Sequence, residues 1–356
     1  VAKSLIVETY ASSCYFRTSV EDGERKALVQ ITERCNLHCA HCFVSSTEEG
    51  LDISFEDYAT RVLPRLMEAG VTRITLTGGE PFAHPNLLAI CKLTVDWGLS
   101  VGVCSNATLA TDEQIEFLAK LGVHINVSFD GFRAQSHGKF RGNTKSFDTT
   151  VETTRKFAEA GLLQGLLSTP NSLTREGEFA DLCRFAMEIG AKYVLMNPLS
   201  SFGRGVKSRG KLAAPEEVMS QIRKETEGFD VDTVHIRFPN DDAKPLAGCD
   251  AGKLIYVFAS GEVAVCPYLV FAARTPASEH KDDEFLAGNI LQGDVAEQLN
   301  GFDMSKLAMG QNDTCRSCSL EACQKGCPAA VIANGGRVGE LDELCPRPLL
   351  QIGRRV

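Results

Sequence analysis

Cys35, Cys39 and Cys42 fall within the octapeptide CNLHCAHC, spaced by three and then two residues. Three thiolates at that spacing, on a loop that follows a strand, can hold three corners of an iron–sulfur cube. Zinc would want a fourth protein ligand, which His38 or His41 could supply, so spacing alone leaves a zinc site open. A cube held by three cysteines keeps one iron open, which suits chemistry better than simple electron transfer. A second group, Cys315, Cys318, Cys323 and Cys327, lies towards the other end, with Cys249, Cys266 and Cys345 around it. Cys14, Cys91, Cys104 and Cys183 stand alone and read as small buried hydrophobes. Fourteen thiols with no secretory signal ahead of them point to metal sites before disulfides.

Loops of this kind need a scaffold, and the chain alternates short β-like runs with longer amphipathic segments. Strands are expected at residues 27–32, 73–77, 100–104, 123–129, 162–168 and 192–196. Helices are expected between them, at 54–69, 111–121, 147–160 and 174–189, the first capped by Ser54 and stopped by Gly70. Such a string implies parallel βαβ units with right-handed crossovers. The unusual residues cluster just after strand C-termini, which in a barrel converge on one mouth. An open, partial barrel is therefore expected over a doubly wound sheet. Residues 200–210, rich in Gly, Ser and basic side chains, read as a long solvated loop. A helix from Pro215 and a strand at 233–238 follow, and the grammar changes after Pro239.

Composition bounds the class. At ~150 residues per domain, 356 residues suggest two domains, and a hydrophobic fraction of 44% supplies an ordinary core. Lys and Arg total 37 against 46 Asp and Glu, so nucleic acid is disfavoured as a partner. No apolar run approaches the ~20 residues that span a bilayer. The expected setting is cytoplasmic, without membrane.

CNLHCAHC followed by TGGEP resembles the signature of the radical S-adenosylmethionine (SAM) superfamily. The resemblance implies a 4Fe–4S cluster on Cys35, Cys39 and Cys42, with SAM chelating the open iron. It implies an α/β fold, a partial (β/α)6 TIM-like barrel over residues 27–239. Gly78, Gly79 and Glu80 would receive the SAM amino group, since a glycine turn exposes carbonyl acceptors beside the carboxylate. Phe43, Ser105 and Asn106 resemble further SAM contacts. Ser128 and Asp130 would grip the ribose, and Arg141, in HGKFRG, would pair with the SAM carboxylate. The implied reaction is reductive cleavage of SAM to methionine and a 5′-deoxyadenosyl radical, which takes hydrogen from a substrate carbon. An electron donor such as flavodoxin or ferredoxin follows from that chemistry.

Beyond residue 240 the cysteines resemble a SPASM domain, in which seven cysteines hold two auxiliary 4Fe–4S clusters. Cys315, Cys318, Cys323 and Cys345 would hold the distal cluster, and Cys249, Cys266 and Cys327 the proximal one. Four residues separate Cys318 from Cys323 where the family usually has five. No cysteine falls just before Cys249, so no fourth cysteine is expected on the proximal cluster: its remaining iron would be open, or bound by Asp241, Asp242 or an outside ligand such as water or the substrate. The expected division is an N-terminal segment (1–26), the barrel (27–239) and the SPASM domain (240–356). SPASM enzymes most often modify ribosomally made peptides, so a peptide cross-link, oxidation or epimerisation is expected. With 26 residues before the first strand, a separate peptide-carrier protein is expected for delivery. The alternatives are a sugar or nucleoside substrate in antibiotic biosynthesis, or an iron–sulfur electron carrier that is no enzyme. No catalytic acid, base or quenching residue stands out; Cys104, Tyr268 and Glu262 are candidates only.

Overall fold

The computed structural model describes residues 10–11, 20–21 and 23–347, so Cys14 lies outside the described residues. Seven strands run in chain order across one sheet: β1 (Arg25–Thr32), β2 (Val71–Gly78), β3 (Ser100–Ser105), β4 (His124–Ser128), β5 (Leu163–Ser168), β6 (Tyr193–Met196) and β7 (Asp232–His235). Every neighbouring pair among them is parallel. The sheet stays open, with β7 at one edge, and the partial barrel expected from the sequence is what forms.

Period-two alternation gives this barrel its use. Ala27, Val29 and Ile31 of β1, Ile74 and Leu76 of β2, Val101 and Val103 of β3, and Ile125 and Val127 of β4 are all buried in the main core. The intervening residues, among them Thr75, Thr77, Cys104, Asn126 and Ser128, line a central cavity of about 620 Å³. Burying each aliphatic side chain stabilises by roughly 1.5–3 kcal/mol, so the core face fixes strand register and leaves the polar face to the cavity.

Ser54 caps its helix as expected, its Oγ accepting the Asp57 N–H at 3.0 Å. The helix is not uniform: Phe55–Asp57 passes through a π-helical turn, Tyr58–Val62, into Leu63–Glu68. Pro64 has no N–H to offer, and the ladder widens ahead of it, with Leu63 N–H reaching back to Tyr58 O. Two further differences matter more. The segment expected as a loop at 200–210 turns at its midpoint into the helix Gly205–Leu212. After residue 240 the chain returns to the far edge of the same sheet. There β8 (Leu254–Val257) lies parallel beside β1, and β9 (Glu262–Ala264) and β10 (Leu286–Asn289) follow antiparallel. All four β8 residues are buried, and so short an apolar run carries no readable period. Among the described residues no helix is long and apolar enough to cross a membrane.

Candidate active site

The loop after β1 carries the three N-terminal cysteines to the barrel mouth. Cys35 N–H donates to Thr47 O at 2.6 Å, Cys35 Sγ accepts from Leu37 N–H at 3.4 Å, and Ala40 N–H donates to Phe140 O at 2.8 Å. Cys35 and Cys39 are 9% and 8% exposed and share an apolar nest with Leu37 and Cys42. Burial pushes the Cys35 thiol up to about 11 and the Cys39 thiol to about 12. A metal group must therefore displace protons from these thiols on binding.

The donor set fits a cube better than a single ion. Among the described residues, no three His, Cys, Asp or Glu side chains converge where one ion would sit. The three thiols instead rim the central cavity. His38 is exposed. His41 stacks on Phe140, ring centroids 4.8 Å apart, and directs Nε2 towards Asp130 Oδ2 at 3.6 Å. Burial lowers its pKa to about 4, so the ring is neutral at ordinary pH.

Gly78 and Gly79 close β2 directly against the cysteine loop. Gly79 N–H donates to Thr32 O at 2.9 Å, and Glu80 N–H to Arg34 O at 2.8 Å. A Cβ on Gly78 would stand 2.3 Å from Thr32 O, and one on Gly79 2.2 Å from Arg34 O, so only glycine permits this seam. Glu80 is 1% exposed, and its carboxylate accepts from Phe82 N–H at 3.1 Å, Ser105 Oγ at 2.8 Å and Asn106 N–H at 2.7 Å. Burial raises its pKa against those donors. Asn106 in turn donates Nδ2 to Asn36 Oδ1 at 3.0 Å, inside the cysteine loop. Glu80, Ser105 and Asn106 thus lock three strand ends together.

Asp130 and Arg141, expected at different ends of SAM, lie against each other. Arg141 Nε is 2.8 Å from Asp130 Oδ2, a close ion pair slightly off the hydrogen-bonding line. Burial alone would raise the Asp130 carboxyl, but the Arg141 guanidinium together with His41, His137 and the Thr169 N–H outweighs it and holds the pKa below the usual range. The second Asp130 oxygen accepts from Thr169 N–H at 2.9 Å. That carboxylate is committed to protein partners, whereas Ser128 remains on the cavity wall.

The loop between Asp130 and Arg141 is shaped by Glu178, a residue sequence reasoning missed. Its buried carboxylate accepts from Phe132 N–H at 2.7 Å, Arg133 Nε at 2.9 Å, Arg175 N–H at 2.9 Å and Ser136 Oγ. The available signal was an acidic residue opening a helix, too common to single out. Tyr256, on β8, was also missed. Its hydroxyl is buried on the cavity wall without a hydrogen-bond partner among the described residues, and nothing in a four-residue strand marks it.

All of Phe43, Gly78, Gly79, Glu80, Ser105, Asn106, Ser128, Asp130 and Arg141 line the same cavity as Cys35, Cys39 and Cys42. Four aromatic side chains, Phe43, Phe202, Tyr268 and Phe271, form part of its wall. Phe43 packs on Phe271 at 4.9 Å, and Phe202 on Tyr268 at 6.3 Å, the two partners coming from the helix Pro267–Ala273. Cys104 also faces the cavity, while Cys91 and Cys183 are fully buried in the core. Glu262 lies outside it, 3.6 Å from Arg274.

Cys315, Cys318, Cys323 and Cys345 line one small cavity. Cys249 lies beside Cys327, and burial pushes its thiol up to about 12. Cys266 and Cys327 each precede a proline that opens a short helix, Pro267–Ala273 and Pro328–Ala333, and the two helices pack together. Asp241 and Asp242 are directed elsewhere. Asp241 accepts from Ser220 Oγ at 2.5 Å, and Asp242 pairs with Lys244 at 3.4 Å.

Residues 29–178 match the radical SAM superfamily. The subtilosin biosynthesis protein AlbA of Bacillus subtilis is 31% identical over 295 residues, 80% of this chain and 61% of that protein. An AdoMet-dependent heme synthase of Methanosarcina barkeri is 31% identical over 181 residues, 50% of this chain and 52% of its own length. The mycofactocin maturase MftC of Mycobacterium tuberculosis is 26% identical over 323 residues, covering 86% of this chain and 78% of that one. The chain thus spans less than two thirds of the first two relatives. Among solved structures, Streptococcus suis SuiB bound to its precursor peptide SuiA superposes with a TM-score of 0.71 at 16% identity, over 93% of this chain and 78% of that one.

Proposed function

We propose that this chain, which belongs to the radical SAM superfamily and has a SPASM-type C-terminal region, is an enzyme that modifies a ribosomally made peptide. The family implies SAM and a 4Fe–4S cluster. The observation that carries the reading is the single cavity shared by the three loop cysteines and all nine expected SAM contacts. When bound, the cluster supplies the electron that cleaves SAM and so starts hydrogen abstraction.

The chain's own residues hold and orient. Cys35, Cys39 and Cys42 provide three thiolates. The glycine seam of Gly78 and Gly79 offers backbone carbonyls to an ammonium group. Arg141 keeps Nε on Asp130 and would offer its terminal nitrogens to the SAM carboxylate, so Asp130 would serve by holding Arg141 and leave the ribose to Ser128. The aromatic wall of Phe43, Phe202, Tyr268 and Phe271 keeps water from the reacting carbon.

Residues 240–356 form, in this reading, a domain with two auxiliary clusters, a distal one on Cys315, Cys318, Cys323 and Cys345 and a proximal one on Cys249, Cys266 and Cys327. A flavodoxin or ferredoxin delivers the electron, and a separate carrier protein delivers the peptide. The peptide reading draws on relatives named for bacteriocin biosynthesis and mycofactocin maturation. Anaerobically reconstituted, reduced protein should convert SAM to 5′-deoxyadenosine and change the mass of a short precursor peptide encoded nearby. Turnover of SAM with a sugar or nucleoside product, and none with peptide, would overturn the substrate class while sparing the chemistry.

A further inference from the structure

The helix Gly205–Leu212 begins against the cysteine loop. Arg204, just ahead of it, donates Nε to Cys39 O at 2.8 Å, Nη1 to Ser46 O at 2.7 Å and its backbone N–H to Cys42 O at 3.0 Å. One turn on, Ser208 donates Oγ to Ala40 O at 2.6 Å. Gly203, at φ +50°, closes the seam, because a Cβ there would stand 2.4 Å from both Cys42 O and Phe43 O. Among the described residues Arg204 makes no ion pair with a carboxylate; three carbonyls of the loop take its donors. Two of those carbonyls belong to the cysteines themselves. The side chain also lines the central cavity.

A guanidinium fork is always charged and rigid enough to span two acceptors at once. Here it bridges the two ends of the segment that carries Cys42. We propose that Arg204 is a positioning residue of the three-cysteine site: it fixes the loop from Cys39 to Ser46 and sets a permanent positive charge beside the cluster. A nearby cation favours the more negative, reduced form of a cluster and so raises its midpoint potential. The inference rests on the superfamily reading and is independent of the substrate.

The test uses the full chain, reconstituted anaerobically, and follows the cluster whose electron paramagnetic resonance signal changes when SAM is added. Iron release to a chelator and the midpoint potential of that signal are measured for Arg204→Lys, Arg204→Gln and Lys207→Ala. Lys207 is exposed on the same helix and controls for loss of a general charge. Both Arg204 variants should release iron about tenfold faster, because neither replacement spans the carbonyls. Only Arg204→Gln should lower the midpoint, and Lys207→Ala should change neither quantity. Wild-type iron release in both Arg204 variants overturns the proposal, as does an equal drop in midpoint for Lys207→Ala. If Arg204→Gln holds no cluster, Arg204→Lys decides: faster release at an unchanged midpoint supports the clamp, and wild-type release refutes it. Wild-type protein without any SAM-responsive signal would instead overturn the superfamily reading, and this proposal with it.

Discussion

Arg237 and Asp342 form a two-pronged ion pair that joins the end of the barrel to the C-terminal cysteines. Nη1 meets Oδ2 at 3.1 Å and Nη2 meets Oδ1 at 3.0 Å. Asp342 also accepts the backbone N–H of Cys327 at 2.9 Å. Its side chain is wholly buried, and Arg237 takes a left-handed backbone at φ +53° to reach it. Such a conformation costs a non-glycine residue about 1–3 kcal/mol and persists only where surrounding contacts dictate it. The pair therefore ties the segment after β7 to the segment that bears Cys327.

Breaking that pair from one side should be expensive, because it strands a buried charge. Arg237→Ala or Asp342→Ala is expected to cost about 3–5 kcal/mol of stability, read as a lower thermal midpoint. The double replacement should cost less than the sum of the two, which a double-mutant cycle measures directly. Additive losses would mean that the two side chains do not act as a unit.

Iron content tests the cluster assignment. Three cubes require about twelve irons per chain, and replacing Cys35, Cys39 and Cys42 together with Ala should remove roughly a third of them. All cleavage of SAM should vanish with that third. A fully loaded protein with only about four irons would sink the two auxiliary clusters.

Arg141→Ala should weaken SAM binding roughly tenfold to a hundredfold, the worth of a charge-assisted contact, with iron content unchanged. Arg141→Lys should restore little, because an ammonium cannot hold Asp130 and a carboxylate in one plane. Equilibrium dialysis with SAM checks both. Undiminished affinity in Arg141→Ala would leave the residue as no more than a partner for Asp130.

Asp241 and Asp242 are the side chains expected from the sequence to complete the proximal group. Asp241 and Asp242 already have partners in Ser220 and Lys244. Asp241→Ala and Asp242→Ala are therefore each expected to keep the full iron content and the same iron–sulfur spectrum. Loss of about four irons in either of them would name the missing ligand.

Much of the site was legible in the one-dimensional pattern because its chemistry depends on short spacing. CNLHCAHC and TGGEP lie next to strand ends, and hydrophobic alternation in β1 to β4 identifies those strands and their polar faces. The helix Gly205–Leu212 was hidden because glycine, serine and arginine have no apolar stripe to betray it. β8 was hidden because four consecutive buried residues look alike in either period.

The sequence by itself determined the spacing of the cysteines and which strand ends present them, since both follow from local spacing and burial of alternate residues. Tertiary structure alone decided which partners the charged side chains meet. Asp130 and Arg141 are eleven positions apart in sequence yet 2.8 Å apart at the nearest atoms, and Arg204 reaches a loop more than 150 residues upstream. Those contacts arise where crossovers bring distant strand ends to one rim. A periodicity describes how each element buries its own face, and it carries no information about which charges meet across the mouth.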